Sequence, residues 1–139
     1  MSPVTVVGPF AEELCGYLKQ LDPDHRVSIS VEVEEVVVGL DEAVPVGIIV
    51  QEAVRNSFEH AFPASLAHAA PEVRVRVCLG AQKQCVVEIR DNGIGFDRDR
   101  TRLQLGFVFM EAVADQVSGQ LEVTSDQSGT TVRFNARAG

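Results

Sequence analysis

The sequence predicts an α+β fold in which a mixed, mostly antiparallel sheet packs in two layers against about three helices. Two observations lead to this prediction. Three segments repeat apolar residues at helical spacing, and about six shorter segments have the alternating or short apolar patterns of strands. The 139 residues suit one domain covering 1–139, because no internal repeat and no linker divides them.

The first part of the chain combines one helix with two strands. Apolar residues from Phe10 to Leu21 follow a helical period that Pro23 ends. Residues 27–33 alternate valine and isoleucine with serine and glutamate, which predicts a strand with one solvated face. A short second strand is expected over 36–38.

The central helix follows Gly39-Leu40 and is expected to continue without a break through Phe62. Asp41 is a suitable N-cap, and Pro45 is placed in the first turn, where a missing N–H is tolerated.

Three polar residues of this helix, Glu52, Asn56 and His60, are spaced four apart. At that spacing their side chains point the same way on an α-helix. A solvated polar face is one interpretation of the stripe, since polar residues normally lie outside. The alternative is a functional surface made of an acid, a carboxamide and an imidazole.

Two strands at 73–79 and 85–90 predict a hairpin, after which Asp91 stands at the strand end before Asn-Gly-Ile-Gly-Phe. The two glycines let the backbone turn sharply and approach a ligand closely. An ordinary Asn-Gly turn is the alternative, but no strand returns at once, which fits a tight hairpin poorly.

The last part of the chain predicts a helix over 105–118 that Gly119 ends, and then a closing hairpin. Its strands are expected at 121–124 and 131–136, on either side of a polar turn.

The composition excludes several functional classes. Hydrophobic residues make up 45% and charged residues 23%, as in ordinary globular proteins. No apolar run approaches the ~20 residues that span a bilayer, and no signal-peptide pattern opens the chain, so we expect no membrane contact by this domain. The net charge of −8 argues against a nucleic-acid partner.

Three cysteines, Cys15, Cys78 and Cys85, have neither zinc-site nor disulfide-framework spacing. Matching the apolar faces of the hairpin strands requires an odd number of loop residues. That register puts Cys78 on the outer face and Cys85 on the inner face, where a bridge between them is geometrically poor. We therefore expect a reducing, cytoplasmic location.

Together, the stripe Glu52-Asn56-His60 and the motif at 91–96 resemble the N-box and first glycine box of the GHKL ATPase superfamily. Further segments, spread over about residues 10–136, resemble the HWE and HisKA_2-type bacterial sensor histidine kinases of this superfamily. They are the segment that leads into the N-box at 40–50, the segment that follows it at 60–63, the helix region at 105–119 and Gly129-Thr130. The resemblance implies a Bergerat-type two-layer sandwich that binds ATP and Mg²⁺.

The resemblance also implies roles for individual residues. Glu52 would be the general base or a water-orienting carboxylate, Asn56 would ligate Mg²⁺, and Asp91 would accept a hydrogen bond from the adenine amino group. The remaining expected nucleotide contacts are Gly93, Gly95, Gly106, Thr130 and His60. For His60, a hydrogen bond to a nearby carbonyl is an equally weighted alternative to a place near the phosphates.

The chain departs from the resembled branch in several places. Glu59 stands where a lysine is usual, the lid is short, and the second glycine box keeps only Gly106, with Gln104 at its other position. Lid arginines are a candidate replacement for the missing lysine, although they equally suit solvated pairs with neighbouring aspartates; they are Arg98, Arg100 and Arg102. The chain has no dimerisation helix pair, and His25 lacks a phosphoacceptor context.

The function implied by the resemblance is the catalytic domain of a two-component histidine kinase. It would transfer the γ-phosphoryl group of ATP to a histidine on another domain or protein, with a phosphoacceptor domain and a response regulator as partners in cis or in trans. Two alternatives remain open: a degenerate interaction module that no longer binds nucleotide, and an anti-sigma-factor serine kinase.

Overall fold

The structure is a computed structural model that describes residues 4–6, 13, 16–22, 26–34, 37–62, 70–80, 84–95 and 101–137. For 4–6, 37–42, 101–104 and 137 it describes no side chains. The first helix, α1, is seen over 16–20. The other helices are α2 (Leu40–Asn56), continued by a π-helical turn (Ser57–Ala61), and α3 (Thr101–Gln116). The strands are β1 (Val4–Val6), β2 (Ser28–Val33), β3 (Val37–Gly39), β4 (Glu72–Leu79), β5 (Gln84–Asp91), β6 (Gln120–Asp126) and β7 (Gly129–Arg137).

Five strands form the main sheet in the order β2-β4-β5-β7-β6. Strand β2 runs parallel to β4, and the other neighbours are antiparallel. With three helices beside it, this sheet confirms the predicted α+β fold. The chain between β2 and β4 includes α2, which supplies the crossover that a parallel pair requires.

A separate two-stranded sheet pairs β1 with β3. The sequence pattern gave no signal for β1, because Val4-Thr-Val is too short to show alternation. The predicted strand at 36–38 is observed as β3, which runs directly into α2.

The predicted register of the β4–β5 hairpin is confirmed. Leu79 faces Cys85 and Cys78 faces Val86, so the two cysteines occupy different positions of the ladder and opposite faces of the sheet. Both thiols are free, whereas Cys15 lies outside the described residues. Burial, and to a smaller degree the nearby Cys78, raises the pKa of the Cys85 thiol to about 11.

The core lies between the helices and one face of the sheet. Val75, Val87 and Phe134 from the sheet are fully or almost fully buried, as are Ile49 from α2 and Met110 from α3. These side chains belong to one apolar cluster, which fixes α2 and α3 against the strands that carry the candidate site.

The outer face of the sheet carries an ordered row of charges. One residue from each strand stands beside the next, with alternating sign, in the order Glu32, Arg76, Glu88, Arg133 and Glu122. Cross-strand neighbours of opposite charge stabilise a register modestly. The row therefore supports the same strand order that the apolar face selects.

The expectation of an unbroken α-helix through Phe62 was wrong. α2 begins at Leu40, so Asp41 stands inside its first turn and Pro45 lies beyond that turn. From Ser57 to Ala61 the backbone is π-helical. A π turn bonds residue i to i+5 and is wider than an α turn, so it changes the direction of the side chains that follow Asn56. In the described part of the chain, no helix is both long and apolar enough to cross a membrane.

Candidate functional site

A cavity opens where the end of α2 and its π turn face β5 and β7. It contains five of the predicted site residues, namely Asn56, His60, Asp91, Gly95 and Thr130. The rest of its lining is mainly apolar and consists of Ala53, Ser57, Ala61, Ile89, Phe107 and Val132. A mostly apolar pocket with a few convergent polar groups is typical of a small-molecule site.

The carboxylate of Asp91 is the most heavily hydrogen-bonded group of this cavity. Asp91 is 4% exposed. Its Oδ1 accepts hydrogen bonds from the backbone N–H of Gly93 at 3.0 Å and of Thr130 at 3.1 Å. Its Oδ2 accepts one from the Ser57 hydroxyl at 2.7 Å. Three donors from three segments fix the orientation of the carboxylate, because turning it would break them together.

Two glycines around Asp91 are required by close approach of the backbone. A Cβ on Gly93 would lie 2.4 Å from the carbonyl oxygen of Ala61, and a Cβ on Gly129 would lie 2.0 Å from that of Asp91. Gly129 also has φ +136°, which L side chains rarely adopt. Gly95, with φ +77°, would meet Asp126 in the same way. The loop after β5, the turn between β6 and β7, and the π turn thus pack closely around the Asp91 carboxylate.

The polar stripe of α2 lies beside α3 at Gly106. A Cβ on Gly106 would be 3.1 Å from Asn56 Nδ2 and 3.5 Å from Glu52 Oε1, so the glycine leaves room for both side chains. Asn56 Nδ2 is buried and has no hydrogen-bond partner among the residues that the structure describes. Buried polar atoms are normally paired, so this amide has unused donor capacity. Glu52 is partly exposed and stands 3.5 Å from Arg55 of the same helix.

His60 also lines the cavity, with 17% of its side chain exposed. Its Nε2 is 3.6 Å from a carboxylate oxygen of Glu59, which is more than half exposed. Within the described residues, no bond from His60 to a carbonyl is found.

Three predicted residues contribute no described side chain. Arg98 and Arg100 lie outside the described residues. Arg102 belongs to α3, and only its backbone is described. The proposed replacement of the missing lysine by these arginines therefore stays a prediction.

Sequence reasoning missed Ser57 and Phe107 as lining residues of the cavity. Ser57 is 34 positions from its partner Asp91, and no spacing rule joins residues that far apart. Ser57 also falls off the i, i+4 stripe that drew attention to α2. Only the packing of the π turn against β5 brings Ser57 to Asp91.

Comparisons with known proteins bear on the family and the fold of the chain. Residues 41–138 match the family described as histidine kinase-, DNA gyrase B-, and HSP90-like ATPase. A curated relative, blue-light-activated histidine kinase 2 of Erythrobacter litoralis (strain HTCC2594), is 25% identical over 130 residues; these are 93% of this chain but 37% of the relative.

Solved structures show the same fold. The histidine kinase domain of the Erythrobacter litoralis EL346 blue-light-activated kinase superposes with a TM-score of 0.82 at 22% identity, over 96% of this chain and 61% of that one. The mycobacterial sensor histidine kinase MprB gives a TM-score of 0.73 at 16% identity, over the full length of both chains. Because the family match spans most of the sequence, the chain belongs to the GHKL superfamily of histidine kinase-, DNA gyrase B-, and HSP90-like ATPases.

Proposed function

We propose that this chain forms one ATP- and Mg²⁺-binding catalytic domain of a two-component histidine kinase. It transfers the γ-phosphoryl group of ATP to a histidine on another domain or protein. The observation that carries the proposal is that Asp91 and Asn56 line one cavity although they come from different layers of the fold. An adenine base and a metal-bound phosphate chain are the two ends of one ligand that such a pair would hold.

Asp91 is the proposed adenine contact. Oδ1 already accepts two backbone N–H groups, whereas Oδ2 accepts one hydroxyl. A carboxylate oxygen accepts about two hydrogen bonds, so the described residues leave one acceptor position on Oδ2. An exocyclic amino group is a suitable donor for that position. The apolar cavity wall, including Ile89 and Val132, suits the faces of a purine ring.

The residues around Asn56 fit a magnesium–phosphate group. Mg²⁺ prefers oxygen ligands, of which a carboxamide supplies one, and it usually keeps several waters and binds substrate phosphates. The buried Nδ2 of Asn56 needs an acceptor, and a phosphate oxygen provides one. When bound, the cation supplies neutralisation of phosphate charge. Glu52 stands beside Asn56, within reach of the same region, and is the proposed general base.

The remaining predicted contacts complete the proposal. Gly93 and Gly95 bring the backbone close to the base, Thr130 shapes the adenine pocket, and Gly106 keeps the approach to Asn56 open. His60 is placed toward the phosphates, and Arg98, Arg100 and Arg102 offset the negative charge that Glu59 adds there.

The chain spans 37% of the length of its curated relative, so further domains are proposals. A phosphoacceptor domain and a response regulator are the partners that this chemistry requires. We place the domain in the cytoplasm, which the free thiols of Cys78 and Cys85 support.

Calorimetric titration with a non-hydrolysable ATP analogue, with and without Mg²⁺, tests the proposal. Asp91→Asn removes the acceptor but lets the fold persist, because the Ser57 hydroxyl can reverse its bond and accept from the new amide. Loss of a charge-assisted hydrogen bond of about 1.5–3 kcal/mol predicts roughly 10- to 150-fold weaker binding.

Asp115→Asn is the matched control, since Asp115 is exposed on α3 away from the cavity. It should bind as the wild type does. No binding by the wild type, or equal binding by Asp91→Asn, contradicts the proposal. The nature of the phosphoamino acid then decides the acceptor, because phosphohistidine is acid-labile and phosphoserine is not.

A further inference from the structure

On the outer face of the sheet, two like charges stand directly opposite each other. Arg74 of β4 faces Arg90 of β5 in the strand register, and both side chains are exposed. Like charges in directly opposite positions destabilise a strand pair. In the neighbouring row of the same face each arginine stands between two glutamates, as Arg133 does between Glu88 and Glu122. The arginine pair therefore departs from the charge pattern of its own surface.

Only one arginine of this pair has a carboxylate partner among the described residues. Arg74 Nη2 donates a hydrogen bond to Glu72 Oε1 at 3.0 Å. For Arg90, no carboxylate lies within 4 Å in the described part of the chain. Hydrogen bonds from Ser128 are the main cause of the lowered pKa of Asp126, and the charge of Arg90 adds a smaller contribution. The guanidinium of Arg90 thus keeps its donors available to a ligand.

The two arginines line a hollow at the ends of β4 and β5. It has a volume of about 300 Å³, at the lower end of the range for small-molecule sites. Glu72 and Asn92 line it as well. Asn92 fixes this part of the hollow, because its Oδ1 accepts from the Glu72 N–H and its Nδ2 donates to the Ala70 carbonyl, both at 2.8 Å. The arginines therefore stand over a hydrogen-bonded strand end.

This hollow is separate from the candidate nucleotide cavity. Arg90 and Asp91 are neighbours in β5, and successive side chains of a strand point to opposite faces of the sheet. Asp91 belongs to the edge of the hollow, but its carboxylate is bonded to Ser57 on the side of the helices. The proposed function makes no use of the outer face, so the arginine pair has no role in it.

We propose that Arg74 and Arg90 bind a small oxyanion, a phosphate or a carboxylate, on the outer face of the sheet. A guanidinium presents a planar fork of N–H donors that matches two oxygens of such a group. An anion between the two arginines gives the sequence Glu72, Arg74, anion, Arg90, in which the sign of charge alternates as in the neighbouring row. Because the chain has 20 acidic and 12 basic residues, its overall charge repels anions, and this local pair supplies the attraction.

Nuclear magnetic resonance of the ¹⁵N-labelled protein, titrated with inorganic phosphate at constant ionic strength, tests the proposal. Shifts of the backbone amides of Arg74 and Arg90 report this site, and the amide of Asn56 reports the nucleotide cavity separately. We expect saturable shifts at the two arginines, and about tenfold weaker binding in Arg90→Gln, as for one lost charge-assisted hydrogen bond. Arg133→Gln is the matched control, since it removes the same charge from the same face. It should change the affinity less than about twofold.

A parallel titration with succinate separates the two kinds of oxyanion. Saturation by phosphate alone identifies a phosphate ligand, and saturation by succinate alone identifies a carboxylate; either result supports the site. Shifts at Arg74 and Arg90 that saturate with neither anion overturn the proposal. Equal weakening by Arg90→Gln and Arg133→Gln also overturns it, because attraction would then come from diffuse charge.

Glu72→Gln decides the matter if Arg90→Gln does not fold. This substitution removes the carboxylate that competes for Arg74 and keeps the backbone N–H that bonds to Asn92. Binding should become about two- to fivefold tighter, the range of an exposed ion pair. Unchanged or weaker binding in Glu72→Gln overturns the proposal.

Discussion

Replacing Gly93 by alanine tests whether the glycine loop and the π turn close on one another as the structure indicates. The new Cβ would lie 2.4 Å from the carbonyl oxygen of Ala61 and 2.5 Å from its Cβ. Gly93 does not have a positive φ, so alanine causes no backbone strain of its own and the effect is steric. To relieve the contact, the loop must move away and lengthen the 3.0 Å bond from Ile94 N–H to Ala61.

The magnitude follows from these two effects. Overpacking costs about 1–3 kcal/mol, and losing one backbone hydrogen bond costs about 1 kcal/mol more. We therefore expect the free energy of unfolding to fall by about 2–4 kcal/mol, and Tm to fall by roughly 6–16 °C for a domain of this size. Because Gly93 N–H also holds Asp91 Oδ1, nucleotide affinity should decrease as well.

Thermal and urea unfolding, followed by circular dichroism, measure the effect. Gly16→Ala is the matched control, because it lies in α1 and its new Cβ would meet nothing within 4 Å. That variant should be unchanged or more stable by about 0.5–1 kcal/mol, since alanine favours a helix. If Gly93→Ala unfolds within about 2 °C of the wild type, the close approach of loop and turn is refuted.

Three further predictions concern the core, the buried thiol and the outer face of the sheet. Phe134→Ala should lower the free energy of unfolding by about 3–5 kcal/mol, because Phe134 is fully buried in the core; a loss below about 1 kcal/mol in urea titration would contradict its packing. The pKa of Cys85 is raised to about 11, so the buried neutral thiol contributes to the free energy of unfolding below the ordinary thiol pKa. That contribution is lost as the pH rises through about 11. The urea midpoint of the wild type should therefore fall more between about pH 8 and about pH 10.5 than that of Cys85→Ala. Equal falls of the midpoint in the two proteins would contradict the prediction. Arg76→Glu puts like charges beside Glu32 and Glu88 and should cost about 0.5–2 kcal/mol at low salt, shrinking when salt is added; a cost independent of salt would exclude the electrostatic explanation.

The sequence predicted well those features that depend on local periodicity. Alternation placed the strands of the β4–β5 and β6–β7 hairpins to within about two residues, and parity of the loop gave the register that separates Cys78 from Cys85. The spacing of Glu52 and Asn56 placed both on one side of α2, where Gly106 approaches them. These inferences hold because side-chain direction repeats every two residues in a strand and every 3.6 in a helix.

The missed features depend on contacts between distant segments. Strand β1 exists through its pairing with β3, and β2 became a parallel neighbour of β4 because α2 crosses between them. Three residues alone have too little pattern to reveal a strand, and alternation is the same in parallel and antiparallel neighbours.

By itself, the sequence determined the fold class, the polar residues of α2 and the strand end at Asp91, since each is written in a local pattern. Only the tertiary structure decided that α2 widens into a π turn and that Ser57 hydrogen-bonds Asp91. It also decided that Gly129 must be a glycine, through its contact with Asp91. Hydrogen bonds and close approaches between segments tens of residues apart arise from packing, and they have no period that a sequence could display.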